Sequence, residues 1–130
     1  MIAGILIGHG ELPIVLNRTI QKIMGEQDNF LVISNEGCSA TELHNRLNKA
    51  VADLDKKEVI IFVDLFGGSC ANVSNQLLKN SSEQKIGIIC GVNPAMLIKY
   101  FQHREQKSFT ELLQLLEETG RNEIKARTSK

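Results

Sequence analysis

The sequence predicts an α/β protein with three layers, α/β/α, built on a mostly parallel sheet. Short aliphatic runs alternate along the whole chain with longer stretches whose apolar residues recur every three or four positions. The run at residues 59–63 is continuously β-branched or aromatic, which is typical of a strand covered on both faces. Such regular alternation of strands and helices favours right-handed crossovers with helices on both sides of the sheet.

The first 25 residues contain the first strand and the first helix. Residues 2–7 are nearly all aliphatic. They are too few to span a membrane, so we interpret them as a buried first strand. Apolar residues then recur at helical spacing up to Ile23. Pro13 suits the first turn of this helix, where its missing N–H costs little, and Gly25 suits its C-terminal end.

The next strand and helix repeat this pattern. Residues 30–33 form a short second strand, and Ser39 or Thr41 caps a second helix. The apolar positions of that helix are Leu43, Leu47, Ala50, Val51 and Leu54. Residues 59–63 form the third strand.

The third helix begins at Ser69 or Asn72 and runs toward Leu78, and residues 86–90 form the fourth strand. We expect the strands in the order 2-1-3-4, because that order makes the first and third strands neighbours. Polar and glycine-rich loops follow each strand, and in such sheets ligands gather at the carboxyl ends of the strands.

The last quarter of the chain holds two helices and a tail. Pro94 begins the fourth helix, and Ser108 caps a fifth that ends near Gly120. The apolar and polar residues of the segment 121–127 indicate a C-terminal edge strand, followed by a loose tail at 128–130.

Composition narrows the classes of function. A chain of 130 residues with 42% hydrophobic residues is expected to form one domain, residues 1–130. The formal net charge is zero, so we expect no nucleic-acid partner. Three cysteines without ligand spacing indicate reduced thiols in the cytoplasm. No metal-binding motif is present, and we expect neither a metal nor a cofactor.

Two residues at strand ends are the candidate catalytic pair. His9 stands between glycines directly after the first strand, and Asp64 directly follows the third. Neighbouring parallel strands would bring both side chains to one edge of the sheet. A carboxylate bound to one ring nitrogen fixes the tautomer and leaves the other nitrogen free to attack a phosphoryl group.

The loops around this pair are candidate sites for phosphoryl oxygens. Gly10 precedes the first helix, and Gly68 and Ser69 precede the third; free amides at helix starts bind anions. No lysine follows the glycines, so this is not a nucleotide-binding P-loop. Phe66 is expected to be exposed as a docking contact for a partner protein.

Five short motifs together resemble the enzyme IIA domain of the mannose family of the bacterial phosphoenolpyruvate-dependent sugar phosphotransferase system. They are ILIGHG at residues 5–10, GEQ at 25–27, VDLFGGS at 63–69, GVNPAML at 91–97 and ETGR at 118–121. They occur in the family's order and extend over almost the whole chain. Some members have threonine where this chain has Gly8, and some have proline where it has Cys70.

The resemblance implies a phosphotransferase that works by transfer between protein histidines. His9 would accept a phosphoryl group from the phosphocarrier HPr and pass it to a sugar-specific enzyme IIB, associated with the membrane components IIC and IID. Asp64 would orient His9, and Ser69 would lie near the phosphoryl group. The family is dimeric and exchanges its last strand, here residues 121–127, so we expect a homodimer and an antiparallel edge strand. We expect IIB to be a separate chain.

Two other functions remain open at this point. A regulatory phosphotransfer domain, of the type that serves dihydroxyacetone kinase or senses sugar status, would use the same histidine. A module that binds a metabolite without covalent chemistry would use the same edge of the sheet. The transported sugar is not readable from the sequence.

Overall fold

A computed structural model, which describes residues 1–80 and 83–130, is organised around a parallel sheet. Its strands are β1 (Ala3–Gly8), β2 (Phe30–Ser34), β3 (Glu58–Val63) and β4 (Lys85–Cys90). Across the described ranges the sheet has four strands in the order β2-β1-β3-β4, and every pair is parallel. The predicted fold class and strand order are therefore confirmed.

In the part of the chain that the structure describes, five helices cover the two faces of this sheet: α1 (Leu12–Met24), α2 (Ala40–Leu54), α3 (Ser69–Asn80), α4 (Pro94–His103) and α5 (Phe109–Asn122). Residues of α2 and α3 pack with one core, and residues of α1, α4 and α5 pack with the other. Alternate strand residues divide between the cores: Ile61 points into the first, and Phe62 into the second. No helix in the described ranges is long and apolar enough to cross a membrane.

The helix starts follow the local signals in the sequence. The Oγ atoms of Ser39 and Ser108 accept hydrogen bonds from the N–H groups of Glu42 and Glu111, at 3.1 and 3.2 Å. Pro13 lies in the first turn of α1, which ends before Gly25 as predicted. The Ser39 cap begins α2 just after β2, at the carboxyl edge of the sheet, whereas the Ser108 cap begins α5 after α4, near Lys85 at the start of β4.

Helix α5 ends at Asn122, close to the end predicted near Gly120, although Gly120 itself has a different role. Gly120 does not end the helix, which continues to Asn122. Gly120 instead allows close packing, because a Cβ there would lie 2.6 Å from Met96 Cε, and its carbonyl accepts a hydrogen bond from Asn93 Nδ2. In this single chain residues 124–130 pair with none of the described strands, so the exchanged edge strand remains a prediction about two chains.

Candidate functional site

His9 and Asp64 meet at the carboxyl edge of the sheet. Residues 3–7 of β1 are in register with residues 59–63 of β3, so the two strands end side by side. His9 Nδ1 lies 3.0 Å from both carboxylate oxygens of Asp64. The side chain of His9 is 35% exposed and that of Asp64 only 7%. A buried carboxylate therefore holds one edge of an accessible imidazole ring.

The Asp64 carboxylate also holds the backbone of both loops. Its Oδ2 accepts the N–H of His9 at 2.9 Å, and its Oδ1 accepts the N–H of Leu65 at 2.9 Å. Gly8 lies directly beneath it, and a Cβ at Gly8 would be 3.1 Å from Asp64 Oδ2. The carboxylate thus fixes the ring and the peptide that carries it with one set of charge-assisted hydrogen bonds.

The other ring nitrogen of His9 faces the loop before α3. A Cβ at Gly68 would lie 3.4 Å from His9 Nε2, and Gly68 has a φ of +92° that disfavours any other residue. Ser69 follows as the first residue of α3. The first N–H groups of a helix have no partner within it, so this side of the ring presents hydrogen-bond donors and partial positive charge.

A second loop fixes the peptide of Gly10. The N–H of Gly10 donates to Asn35 Oδ1 at 3.1 Å, and its carbonyl accepts from Ser34 Oγ at 2.6 Å. Asn35 Nδ2 also lies 3.4 Å from Ser69 Oγ. The Gly10 amide, a predicted contact for phosphoryl oxygens, is therefore already engaged and becomes free only when the side chain of Asn35 moves.

Sequence reasoning assigned no role to Asn35. The sequence carried one signal, because Asn35 directly follows β2, the strand beside β1. In the structure the N–H of Asn35 donates to the Gly8 carbonyl at 3.0 Å. Because residues 35–37 follow the second strand, they belong to the polar loops that the sequence predicts at the carboxyl edge of the sheet. What the sequence did not show is that the amide side chain of Asn35 spans the distance between Gly10 and Ser69.

Two free cysteines lie in the electric field of Asp64. Burial, together with the Asp64 charge, raises the pKa of the Cys70 thiol to about 11. The same two causes raise the pKa of Cys90 above its usual value. Both thiols are thus protonated at neutral pH, and neither is an activated nucleophile in this state.

Among the described residues, His9, Asp64 and Cys70 form a group of three possible metal ligands, and one donor atom of each lies within 4.8 Å of the other two. The sequence prediction of no metal site was based on local spacing between ligands. These three residues come from different segments of the chain, and only the fold brings them together.

Large apolar side chains are exposed beside the site. Leu65 is 56% exposed and Phe66 is 90% exposed, directly after Asp64. Phe66 also lines a groove of about 960 Å³ that runs along β4 between α3 and α5. Ile124, which is 82% exposed, lines the same groove. An exposed aromatic side chain two residues after Asp64 thus also lines a groove with many apolar residues.

Comparisons with known proteins agree with one another. The family model EIIA-man, described as "PTS system fructose IIA component", matches residues 4–117. The chain is 30% identical over 115 residues to the "PTS system fructose-specific EIIA component" of Bacillus subtilis strain 168, covering 87% of this chain and 77% of that protein. It is 35% identical over 134 residues to the "PTS system mannose-specific EIIAB component" of Escherichia coli K12.

The similarity to the E. coli protein includes the whole of this chain but only 41% of the length of that relative. Among solved structures it is similar to phosphotransferase system component EIIA from Streptococcus agalactiae, with a TM-score of 0.91, 26% identity and 97% coverage of both chains. The similarity therefore includes the complete sheet and the helices on both of its faces.

Proposed function

The chain belongs to the EIIA-man family of phosphotransferase-system IIA components, and from that premise we propose that His9 is its phosphorylated residue. The observation that carries this proposal is the contact of His9 Nδ1 with the Asp64 carboxylate at 3.0 Å. A proton on Nδ1 is held there, so Nε2 keeps its lone pair and is the nucleophile. The role of Asp64 is therefore to set the tautomer and direction of the ring.

The transfer needs one bond to form and one to break. Nε2 of His9 attacks the phosphorus of a donor phosphohistidine in line, and the P–N bond to the donor breaks as the new one forms. The His9 ring gains positive charge, which the adjacent Asp64 carboxylate stabilises. In the second transfer the acceptor attacks the same phosphorus, and the electron pair of the P–N bond returns to Nε2.

The loop before α3 is the proposed cradle for the phosphoryl oxygens. Gly68 faces Nε2, and the hydroxyl of Ser69 and the backbone amides of Gly68 and Ser69 provide donors at a helix N-terminus. Gly10 contributes its N–H only when Asn35 Oδ1 releases it. These groups act on charge that spreads over the oxygens during transfer, and they require no metal or nucleotide.

We propose HPr as the donor and a sugar-specific enzyme IIB, acting with membrane components IIC and IID, as the acceptor, both reached in the cytoplasm. Phe66 and Leu65 are exposed apolar side chains beside the histidine, which suits a surface that binds two proteins in turn. Fructose and mannose are named for two relatives; the sugar served by this chain follows from the IIB that it phosphorylates.

The experiment that tests His9 is phosphorylation by phosphoenolpyruvate, enzyme I and HPr, followed by intact-mass measurement and mapping of the modified residue. We expect one phosphate on the native chain and none on His9→Ala, with His103→Ala as a matched control that accepts it. Phosphate on His9→Ala would refute the assignment. A native chain that binds a metabolite but accepts no phosphate would support the non-covalent alternative.

The acceptor distinguishes transport from regulation. Purified IIB proteins, a dihydroxyacetone kinase and sugar-sensing regulators are each mixed with the phosphorylated chain. Loss of phosphate to a IIB supports the transport role. Loss to a kinase or regulator alone would replace that role with a regulatory one, while leaving His9 as the carrier.

We further propose that residues 1–130 form one domain that dimerises by exchanging the C-terminal part of the predicted strand 121–127, which can begin only where α5 ends at Asn122, with 128–130 as a loose tail. β4 is an edge strand, and the groove beside it is lined by apolar residues such as Ile86, Ile88 and Leu113. A partner's tail added to β4 would fill this groove and pair the open edge. The mass of the native chain in solution tests this, since a monomer at roughly 10 µM, where specific interfaces normally hold, would contradict it.

A further inference from the structure

We propose that His9, Asp64 and Cys70 form a binding site for a divalent transition metal of the zinc class, and that the bound ion blocks phosphoryl acceptance. The metal-binding half stands on the donor geometry alone, whereas the inhibitory half rests on the proposed function of His9. An imidazole nitrogen, a carboxylate oxygen and a thiol sulfur are the three ligand types that zinc takes in proteins. Magnesium and calcium take oxygen ligands, so this donor set excludes them.

The distances between the donors suit such an ion after a small movement. The three donor atoms lie within 4.8 Å of one another. Tetrahedral zinc, with bonds of about 2.0–2.3 Å, places its ligands about 3.5 Å apart. Closing this difference requires rotation of the Cys70 side chain and of the His9 ring.

Asp64 is held in place before any ion arrives. The N–H groups of His9 and Leu65 donate to its two oxygens at 2.9 Å. Such hydrogen bonds to a ligand carboxylate fix its orientation and raise metal affinity. The central ligand of the proposed site is therefore already oriented by the fold.

The exposure of the three side chains gives a path for entry. His9 is 35% exposed, Asp64 is 7% exposed and Cys70 is buried. An ion from solvent therefore meets the imidazole first, then the carboxylate, and the thiol last. A water molecule on the exposed side would complete four-coordination, and the thiol proton leaves to solvent as the sulfur binds.

A bound dication also changes the electrostatics around Cys70. Without an ion, the Asp64 charge opposes a thiolate nearby; with an ion between them, both negative groups are attracted to the same charge. The ion would use a ring nitrogen of His9 and the carboxylate that orients this ring. Metal binding and phosphoryl acceptance then compete for the same two side chains.

The test of binding uses cadmium ions alone, titrated into the native chain with its cysteines kept reduced by a non-chelating reagent. We expect a thiolate-to-metal charge-transfer absorption that saturates at one ion per chain. Cys70→Ala should abolish the absorption, and the matched variant Cys38→Ala should retain it. Cys70→Ser serves in place of Cys70→Ala if the alanine variant fails to fold, as judged by circular dichroism.

The test of inhibition compares phosphorylation rates with and without zinc ions, each variant being normalised to its own zinc-free rate. We expect at least tenfold slowing of the native chain, reversed by a chelator, and less than twofold slowing of Cys70→Ala. No cadmium absorption in the native chain, or an absorption that Cys70→Ala retains, would overturn the site. Equal zinc inhibition of both chains would also overturn it, because the thiol would then be unnecessary. Cadmium binding without any phosphorylation would instead count against the proposed function.

Discussion

The replacement Asp64→Asn keeps the size of the side chain while removing its charge and one acceptor oxygen. The Asp64 carboxylate accepts hydrogen bonds from the N–H groups of His9 and Leu65 at 2.9 Å, and it contacts His9 Nδ1 at 3.0 Å. An asparagine offers one oxygen, so its NH₂ group must face one of the two backbone N–H donors. We therefore expect at least one of these hydrogen bonds to be lost.

The size of the effect follows from burial and charge. A hydrogen bond to a charged group contributes about 1.5–3 kcal/mol, and a side chain that is 7% exposed gains little compensation from water. The free energy of unfolding should fall by about 2–3 kcal/mol. An asparagine can also donate to Nδ1, which moves the ring proton to Nε2 and removes the nucleophile; phosphoryl transfer should slow about 10²–10⁴-fold.

The assay is a single-turnover transfer from phosphorylated HPr, combined with urea unfolding of the same protein. Asp53→Asn is the matched control, because Asp53 makes an exposed ion pair with Lys49 at 2.8 Å whose contribution is about 1 kcal/mol or less. The control should transfer at the native rate. A folded Asp64→Asn chain that also transfers at the native rate would refute the role assigned to the carboxylate.

Three further predictions address the surroundings of the site. Asn35→Ala frees the Gly10 N–H, which Asn35 Oδ1 otherwise engages at 3.1 Å, to donate to the phosphoryl oxygens, and should therefore speed phosphoryl acceptance about tenfold, whereas the exposed control Asn48→Ala should not; equal rates would remove Asn35 from the site. Cys70, whose pKa is about 11, is a thiolate in only about one molecule in 10³ at pH 8, so iodoacetamide should modify it far more slowly than Cys38 in the folded chain, and comparable rates by peptide mapping would contradict its burial. Ser108→Ala removes the cap of α5 and should lower the free energy of unfolding by about 1 kcal/mol, measured by urea unfolding; an unchanged midpoint would show that the cap contributes nothing.

The fold could be predicted from the sequence because its strands and helices carry different periodicities. The residues of β1 and β3 are buried along almost their whole length, so both read as continuous apolar runs. Polar residues resume where these runs stop, which marks the carboxyl edge of the sheet. The order 2-1-3-4 then followed from the expectation that the segments bearing His9 and Asp64 are neighbours.

The sequence was less informative where one residue type serves two purposes. A glycine near the end of a helical pattern usually ends the helix, but Gly120 lies inside α5 and allows close approach of Met96. The sequence shows a glycine in either case, so it does not reveal whether that glycine ends the helix or allows close packing inside it. Only the packing partner, 24 residues earlier in the chain, distinguishes them.

Contacts of side chains between loops were also beyond the sequence. Asn35 reaches Gly10 and Ser69 through its amide, and Cys70 approaches His9 and Asp64. Each depends on the direction in which a loop leaves the sheet. Periodicity locates the end of a strand only to within about two to four residues, whereas a hydrogen bond depends on tenths of an ångström.

Asp64 links the stability of the edge to the chemistry proposed for it. The same carboxylate binds the backbone of the loop after β1, the backbone of the loop after β3 and the ring of His9. Neither loop can orient the ring alone, because the carboxylate and the imidazole are 55 residues apart in the chain. The His9 ring is therefore oriented for attack only when β1 and β3 pair. Substitutions that weaken this pairing should reduce phosphoryl acceptance even when they leave every side chain of the site unaltered.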